Sequence, residues 1–275
     1  MQNTKMLWLK IKMTSKTISY NNSKISYRIY GSGKPIILLH GFGEDGEIWN
    51  NQIEFLQRHY LLIVPDLPGS GKSEILTANT VSVDDYADVI KAILTEEKIT
   101  NCCILGHSMG GYITLAFAEK YPETLNSFGL LHSSAYADSD AKIATRKKAI
   151  EFINQNGSQA FLKTSTPNLF FDKEKHKADI DTLITKEFSS AALIQYYNAM
   201  ITRPDRTTVL KLFTKPILFI IGQNDQAVPY TDSLQQTFLP SYTYIHILRN
   251  AAHAGMLEEK EKVNLILARF LHAIY

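Results

Sequence analysis

An α/β fold, with a mostly parallel sheet and one inserted helical layer, follows from three observations. Short β-rich runs alternate with helical patterns from Lys24 to Leu131. That alternation breaks between Ser133 and Thr207, where helical patterns succeed one another without an intervening strand. It resumes with apolar runs that end at Gly222 and Leu248. A chain of 275 residues can bury one large core, or a core plus a subdomain.

The elements follow in chain order. Met1 to Lys16 is polar and lysine-punctuated, and its apolar stretch Met6 to Leu9 is too short for a secretory hydrophobic region. Residues 1–16 are therefore expected to form a disordered extension, with Met13 as an alternative start. Strands are expected at Thr17 to Tyr20, Ile25 to Ile29, Ile36 to Leu39, Leu61 to Val64, Cys102 to Leu105 and Ser127 to Leu131. Two more are expected at Lys215 to Gly222 and Tyr242 to Leu248. Helical spacing appears at Ile48 to Gln57, Ser82 to Glu97, Tyr112 to Tyr121, where Pro122 stops it, and Lys260 to His272. The inserted layer reads as helices at Asp140 to Asn156, Ser158 to Phe170 and Ile180 to Met200. The division is thus 17–133 plus 208–275 for the sheet domain and 134–207 for the insertion.

Composition excludes several classes. The formal net charge is +2 with scattered lysines, which argues against a nucleic-acid surface. The cluster Arg146-Lys147-Lys148 reads as a solvated helix face. No segment is long enough to span a membrane. Cys102 and Cys103 are adjacent in a strand, so their side chains point to opposite faces and a disulfide between them would be strained; a reduced, cytoplasmic setting follows. No Cys and His cluster has metal spacing, and neither metal nor cofactor is expected.

The chemistry-bearing stretch is Gly106-His107-Ser108-Met109-Gly110-Gly111. A strand that turns sharply into a helix presents Ser108 in a strained conformation, with small neighbours to avoid collision and helix N–H groups to favour negative charge. A nucleophilic serine needs a base, and the base needs a group to fix its tautomer. Asp225 lies in the polar turn after the strand ending at Gly222, and His253 lies in a small-residue loop after the strand ending at Leu248. In a doubly wound sheet, loops at the strands' carboxyl ends converge on one crevice.

With these residues the chain resembles the α/β-hydrolase superfamily, over nearly all its length. The order Ser108, Asp225, His253 is that family's order. His40-Gly41-Phe42-Gly43 after an apolar strand matches its oxyanion loop, and Asp66-Leu67-Pro68-Gly69-Ser70-Gly71-Lys72-Ser73 matches its loop after the fourth strand. The resemblance implies an eight-stranded sheet flanked by helices, oxyanion donors at the backbone N–H groups of Phe42 and Met109, and a cap formed by the insertion. It also makes Asp138 the rival for the triad acid, with Asp225 preferred from its G-x-x-D-x-x-V-P segment. Gly69-Ser70-Gly71-Lys72-Ser73 is not a phosphate loop, since Asp66 stands where the first glycine is required.

The other histidines are read as structural. His40 orients the oxyanion loop, His107 packs or contacts substrate, His132 lines the pocket, and His59, His176, His246 and His272 carry no signal. Phe161, Phe170, Phe171, Tyr196 and Tyr197 supply a pocket roof, at least half of them by packing cap on core. The expectation is a capped serine hydrolase acting on a small-molecule acyl substrate, an ester or thioester. Cleavage of a carbon–carbon bond beside a ketone, as in meta-cleavage-product hydrolases, is the enzymatic alternative. A non-catalytic small-molecule receptor is the alternative of another class.

Overall fold

In a computed structural model of the protein, residues 13–275 are described. One sheet of eight strands has the order β1-β2-β4-β3-β5-β6-β7-β8. The strands are β1 (Thr14–Tyr20), β2 (Ser23–Gly31), β3 (Lys34–Leu39), β4 (Tyr60–Pro65), β5 (Cys102–His107), β6 (Leu125–Leu131), β7 (Ile217–Gly222) and β8 (Thr243–Leu248). Strand β2 runs antiparallel to both β1 and β4, and every other pairing is parallel. The expected extension is corrected here: β1 begins at Thr14, so Thr14, Ser15 and Lys16 are paired strand residues. Residues 1–12 of that extension lie outside the described residues.

The central strands are buried on both faces, which is why they read as continuous apolar runs. Alternation then sorts their side chains. Ile37, Leu39 and Ile104 enter one core with α2 (Val83–Glu96) and α3 (Met109–Lys120). Ile36, Leu38 and Leu105 enter the other with α1 (Asn50–Leu56) and the terminal helix. Cys102 and Cys103 fall into opposite cores and are both free and buried. Helix α2 starts at a capping box in which Ser82 and Asp85 satisfy each other's backbone N–H.

Between β6 and β7 stand α4 (Asp140–Asn156), α5 (Ser158–Ser165), α6 (Lys177–Ile184) and α7 (Ser190–Ile201), and α8 (Thr207–Leu212) leads back to the sheet. The single helix expected over Ile180 to Met200 is two, because Ser189 caps a new start by accepting from the Ala192 N–H. Three short or terminal helices follow: α9 (Tyr230–Gln235), α10 (Gly255–Glu258) and α11 (Lys260–Ile274). Buried Arg206 fastens the end of the insertion to the sheet domain through Asp84 and Glu119. No helix among the described residues is long and apolar enough to cross a membrane.

Candidate active site

Ser108 sits between the end of β5 and the start of α3 with φ 51 and ψ −116, a conformation that costs a non-glycine residue about 1–3 kcal/mol. The surroundings hold it there. Its N–H donates to the Leu131 carbonyl (2.9 Å), and its carbonyl accepts from the Gly111 N–H (2.9 Å) and the Ser133 hydroxyl (2.7 Å). A Cβ on Gly106 would collide with the Gly110 carbonyl, and one on Gly110 with the Leu39 carbonyl. The flanking glycines are therefore a requirement of the close approach of β3, β5 and α3.

His253 Nε2 lies 2.8 Å from Ser108 Oγ, and His253 Nδ1 lies 2.8 Å from Asp225 Oδ2. The other carboxylate oxygen of Asp225 accepts from the N–H groups of Ala227 (2.8 Å) and Val228 (2.9 Å). These contacts fix the carboxylate in the turn after β7. Burial acts to raise the Asp225 carboxyl, but the hydrogen-bonded His253 outweighs it and holds it well below the usual carboxylate range. An ionised Asp225 takes a proton-bearing Nδ1, so Nε2 is the atom that faces Ser108 as acceptor. The His253 loop is itself held from the insertion: the Leu169 carbonyl accepts from the N–H groups of His253 (2.9 Å) and Ala254 (3.1 Å). Glu258 adds a second tie, accepting from the N–H groups of Phe171 (2.7 Å) and Ala252 (2.8 Å).

The N–H groups of Phe42 and Met109 make no hydrogen bond within the protein among the described residues. Met109 is the first residue of α3, directly after Ser108, and Phe42, in the loop after β3, lines the same cavity as Ser108 and His253. His40 braces the Phe42 loop: its Nε2 accepts from the Leu67 N–H (2.9 Å), so Nδ1 donates to the Gly41 carbonyl (2.9 Å). The Asp66 loop is structural too. Asp66 accepts from Arg28, Gly46 and Lys72, and no helix opens after Ser73 until Val83.

Sequence reasoning missed Glu44. Its Oε2 accepts from the Gly41 N–H (2.7 Å) and meets His107 Nδ1 at 2.9 Å, while His107 Nε2 meets the His253 carbonyl at 2.9 Å. Both ring nitrogens of His107 face acceptors, so the ring carries both protons and forms a buried ion pair with Glu44. Burial works against each charge, yet each partner outweighs it: Glu44 is held below and His107 above its ordinary value. His107 therefore neither packs idly nor faces the substrate. The signal was weak, because Glu44 is followed by Asp45 and Glu47 in the same stretch and nothing local separates the buried acid from its neighbours.

His132 also differs from the expectation that it lines the pocket. It is buried 3.6 Å from Asp225 Oδ2 and beside the rings of His107 and His253, with no hydrogen bond to either ring nitrogen among the described residues. Burial, only partly offset by Asp225, pushes its pKa down to about 4. The folded state keeps His132 neutral where the unfolded chain, with an ordinary value of 6.5, takes up a proton. Its contribution is thus full above pH 6.5 and is lost as pH falls toward 4. Between pH 7 and 4.5 that loss is about 2 kcal/mol. His132→Asn suits the positive φ of 50 and should flatten the stability profile by that amount in urea unfolding at the two pH values. An unchanged profile would remove His132 as its source.

A cavity of about 630 Å³ opens above Ser108 and His253, between the strand ends and the inserted helices. Of the five expected roof aromatics, Phe161 and Tyr197 line it. Phe42 packs on both, at 6.1 and 4.3 Å between ring centroids. Tyr196 is buried against Tyr86, Phe170 stacks on His176, and Phe171 is exposed. The rival acid Asp138 does not reach His253. Its carboxylate is clamped by Arg146 (2.5 Å) and Arg203 (2.8 Å). Arg146 is accordingly no part of a solvated face, although Lys147 and Lys148 beside it are exposed. Among the described residues, no group of three or more His, Cys, Asp or Glu side chains is arranged to hold a metal ion.

This fold and this crevice are those of an α/β hydrolase, and the chain belongs to the alpha/beta hydrolase fold family, whose model matches residues 34–181. It is similar to the 2-hydroxy-6-oxononadienedioate/2-hydroxy-6-oxononatrienedioate hydrolase of Paraburkholderia phymatum, 26% identical over 262 residues that cover 90% of this chain and 91% of the relative. It is similar also to the pimeloyl-(acyl-carrier protein) methyl ester esterase of Aeromonas hydrophila, 26% identical over 256 residues covering 90% and 99%. Among solved structures, a thermophilic esterase from Thermogutta terrifontis superposes with a TM-score of 0.88 at 24% identity, covering 95% of this chain and 99% of that one.

Proposed function

We propose that this hydrolase is a serine esterase that cleaves a small carboxylic ester or thioester through an acyl-enzyme on Ser108. The observation that carries the reading is the unbroken relay Ser108 Oγ, His253, Asp225, with 2.8 Å at each step. His253 Nε2 takes the hydroxyl proton as Oγ attacks the carbonyl carbon, and Asp225 stabilises the imidazolium. The unengaged N–H groups of Phe42 and Met109 receive the oxyanion, a donor there being worth about 3 kcal/mol in the transition state. His253 then protonates the leaving group, and water activated by the same ring releases the acid. The cavity size suits a small-molecule partner, and nothing in this chemistry calls for nucleic acid, membrane or cofactor. Two buried, unbridged cysteines support a cytoplasmic setting.

The name of the Paraburkholderia phymatum relative favours a second reading, hydrolysis of a carbon–carbon bond next to a ketone. Fluorophosphonate labelling followed by peptide mass analysis is expected to place one adduct on Ser108. A panel of p-nitrophenyl esters beside a vinylogous diketone then separates the two hydrolyses. Absence of an adduct on the folded protein would sink both and leave a small-molecule receptor on the hydrolase fold.

A further inference from the structure

The side of the cavity formed by the inserted helices is cationic. Lys142 and Arg146, one turn apart on α4, and Arg203, just after α7, line it together with the single buried carboxylate of Asp138. Three cations thus face one buried acid. Asp232 also lines the cavity but is exposed, and Glu44 is already neutralised by His107. Exposed charges are screened by water far more than buried ones, so Asp232 offsets little of the inner excess.

The three cations are not equally engaged. Arg203 is consumed by the protein: it forms an ion pair with Asp138 (2.8 Å), donates to the Met200 carbonyl (2.8 Å) and the Tyr136 carbonyl (3.0 Å), and stacks 3.9 Å above the Tyr112 ring. Arg146 turns Nε and Nη2 toward Asp138, while its Nη1 has no protein partner among the described residues and is not sealed from solvent. Among the described residues, Lys142 donates only to the Ala227 carbonyl and has no carboxylate within ion-pair distance. Tyr112 lies beside these cations. Burial acts to raise its phenol, yet Arg203, Lys142 and Arg146 outweigh burial and hold it below the ordinary value. Tyr112 stands four residues after Ser108 on α3, roughly 6 Å along the helix.

We propose that Lys142 and Arg146 form a carboxylate subsite, and that the preferred substrates are short esters bearing a free carboxylate. This rests on the esterase reading for its chemistry but not for its binding. A charge-assisted pair in a partly dry cavity supplies both affinity and orientation, and a neutral isostere leaves the cations unpaired. The carboxylate can stand on the acyl or on the alcohol half of the ester, and the two halves are separable by experiment.

Ethyl hydrogen succinate against ethyl succinamate probes the acyl half, and butyryl glycolate against butyryl glycolamide probes the alcohol half, each followed by proton release. The acid is expected to exceed its amide in kcat/KM by about ten-fold or more in one arm, mainly through KM. Lys142→Met, which breaks no ion pair, and Arg146→Gln should each bring that ratio toward one. Equal use of acid and amide in both arms, or ratios untouched by both substitutions, would overturn the subsite. Calorimetric titration of succinate into Ser108→Ala protein tests binding without turnover. Succinate binding that is lost in Lys142→Met, together with no hydrolysis of any ester, would keep the subsite and reject the esterase. No succinate binding beside active ester turnover would do the reverse.

Discussion

Ser108→Ala is expected to lower ester turnover by about 10⁶-fold while leaving the fold intact, the scale seen when a triad nucleophile is removed. The substitution deletes one atom whose hydrogen bond is to His253, and it leaves the backbone bonds to Leu131, Gly111 and Ser133 in place. Asp225→Asn is expected to cost about 10⁴-fold, because an amide there favours the wrong tautomer of His253. Asp138→Asn should change turnover far less and stability more, since it strips the charge shared by Arg146 and Arg203. Rates on the best ester found, with urea unfolding alongside, check all three. Wild-type rates for Ser108→Ala on every substrate would remove the nucleophile, and a slower Asp138→Asn than Asp225→Asn would move the acid.

The parts of this arrangement that were legible in the chain are those imposed by local geometry. Ser108 announces itself because a strand-to-helix turn this tight admits only small neighbours, and glycines 106, 110 and 111 are visible as letters. Apolar runs marked the central strands β3 to β7 to within a few residues because strands buried on both faces leave no polar side to confuse the period. Asp225 was legible as the single carboxylate in the polar turn after β7, and His253 as the single histidine in the small-residue loop after β8. Three-dimensional pairings were not. Glu44 and His107 are 63 positions apart, and nothing local says that two buried charges will meet. Arg146 beside Lys147 and Lys148 looks like a solvated run until α4 is seen to turn that one residue inward. The break at Ser189 was hidden because both flanking helices are apolar at compatible spacing, so a continuous pattern masked a cap.

Glu44→Gln is expected to destabilise the fold by about 3 kcal/mol and to lower kcat more than it raises KM. The carboxylate is one of two charges in a buried pair, and removing one leaves His107 without the partner that offsets its burial. His107 then sheds a proton, and a neutral ring cannot donate from both nitrogens. With the amide oxygen toward the ring, the contact to the His253 carbonyl is lost; with the amide NH2 toward the ring, both ring contacts survive but the Gly41 N–H loses its acceptor, because one Glu44 oxygen serves both. The kinetic consequence follows from what the pair connects. Glu44 holds the Gly41 N–H, one residue before the Phe42 amide, while His107 holds the His253 backbone. Misplacing base against oxyanion donor by a fraction of an ångström acts on the transition state more than on the ground state. The pH window has a defined sign. Glu44, lowered in the fold, contributes above its ordinary 4.5 and fades as pH falls below it; His107, raised, contributes fully below 6.5 and fades as pH climbs through its folded value. The stability difference between native protein and Glu44→Gln should therefore be widest between those limits and shrink on either side. Unfolding at pH 4, 5.5 and 8, with steady-state kinetics at the middle value, tests it. A variant within about 0.5 kcal/mol of the native protein at pH 5.5, with unaltered kcat, would show that the pair braces nothing.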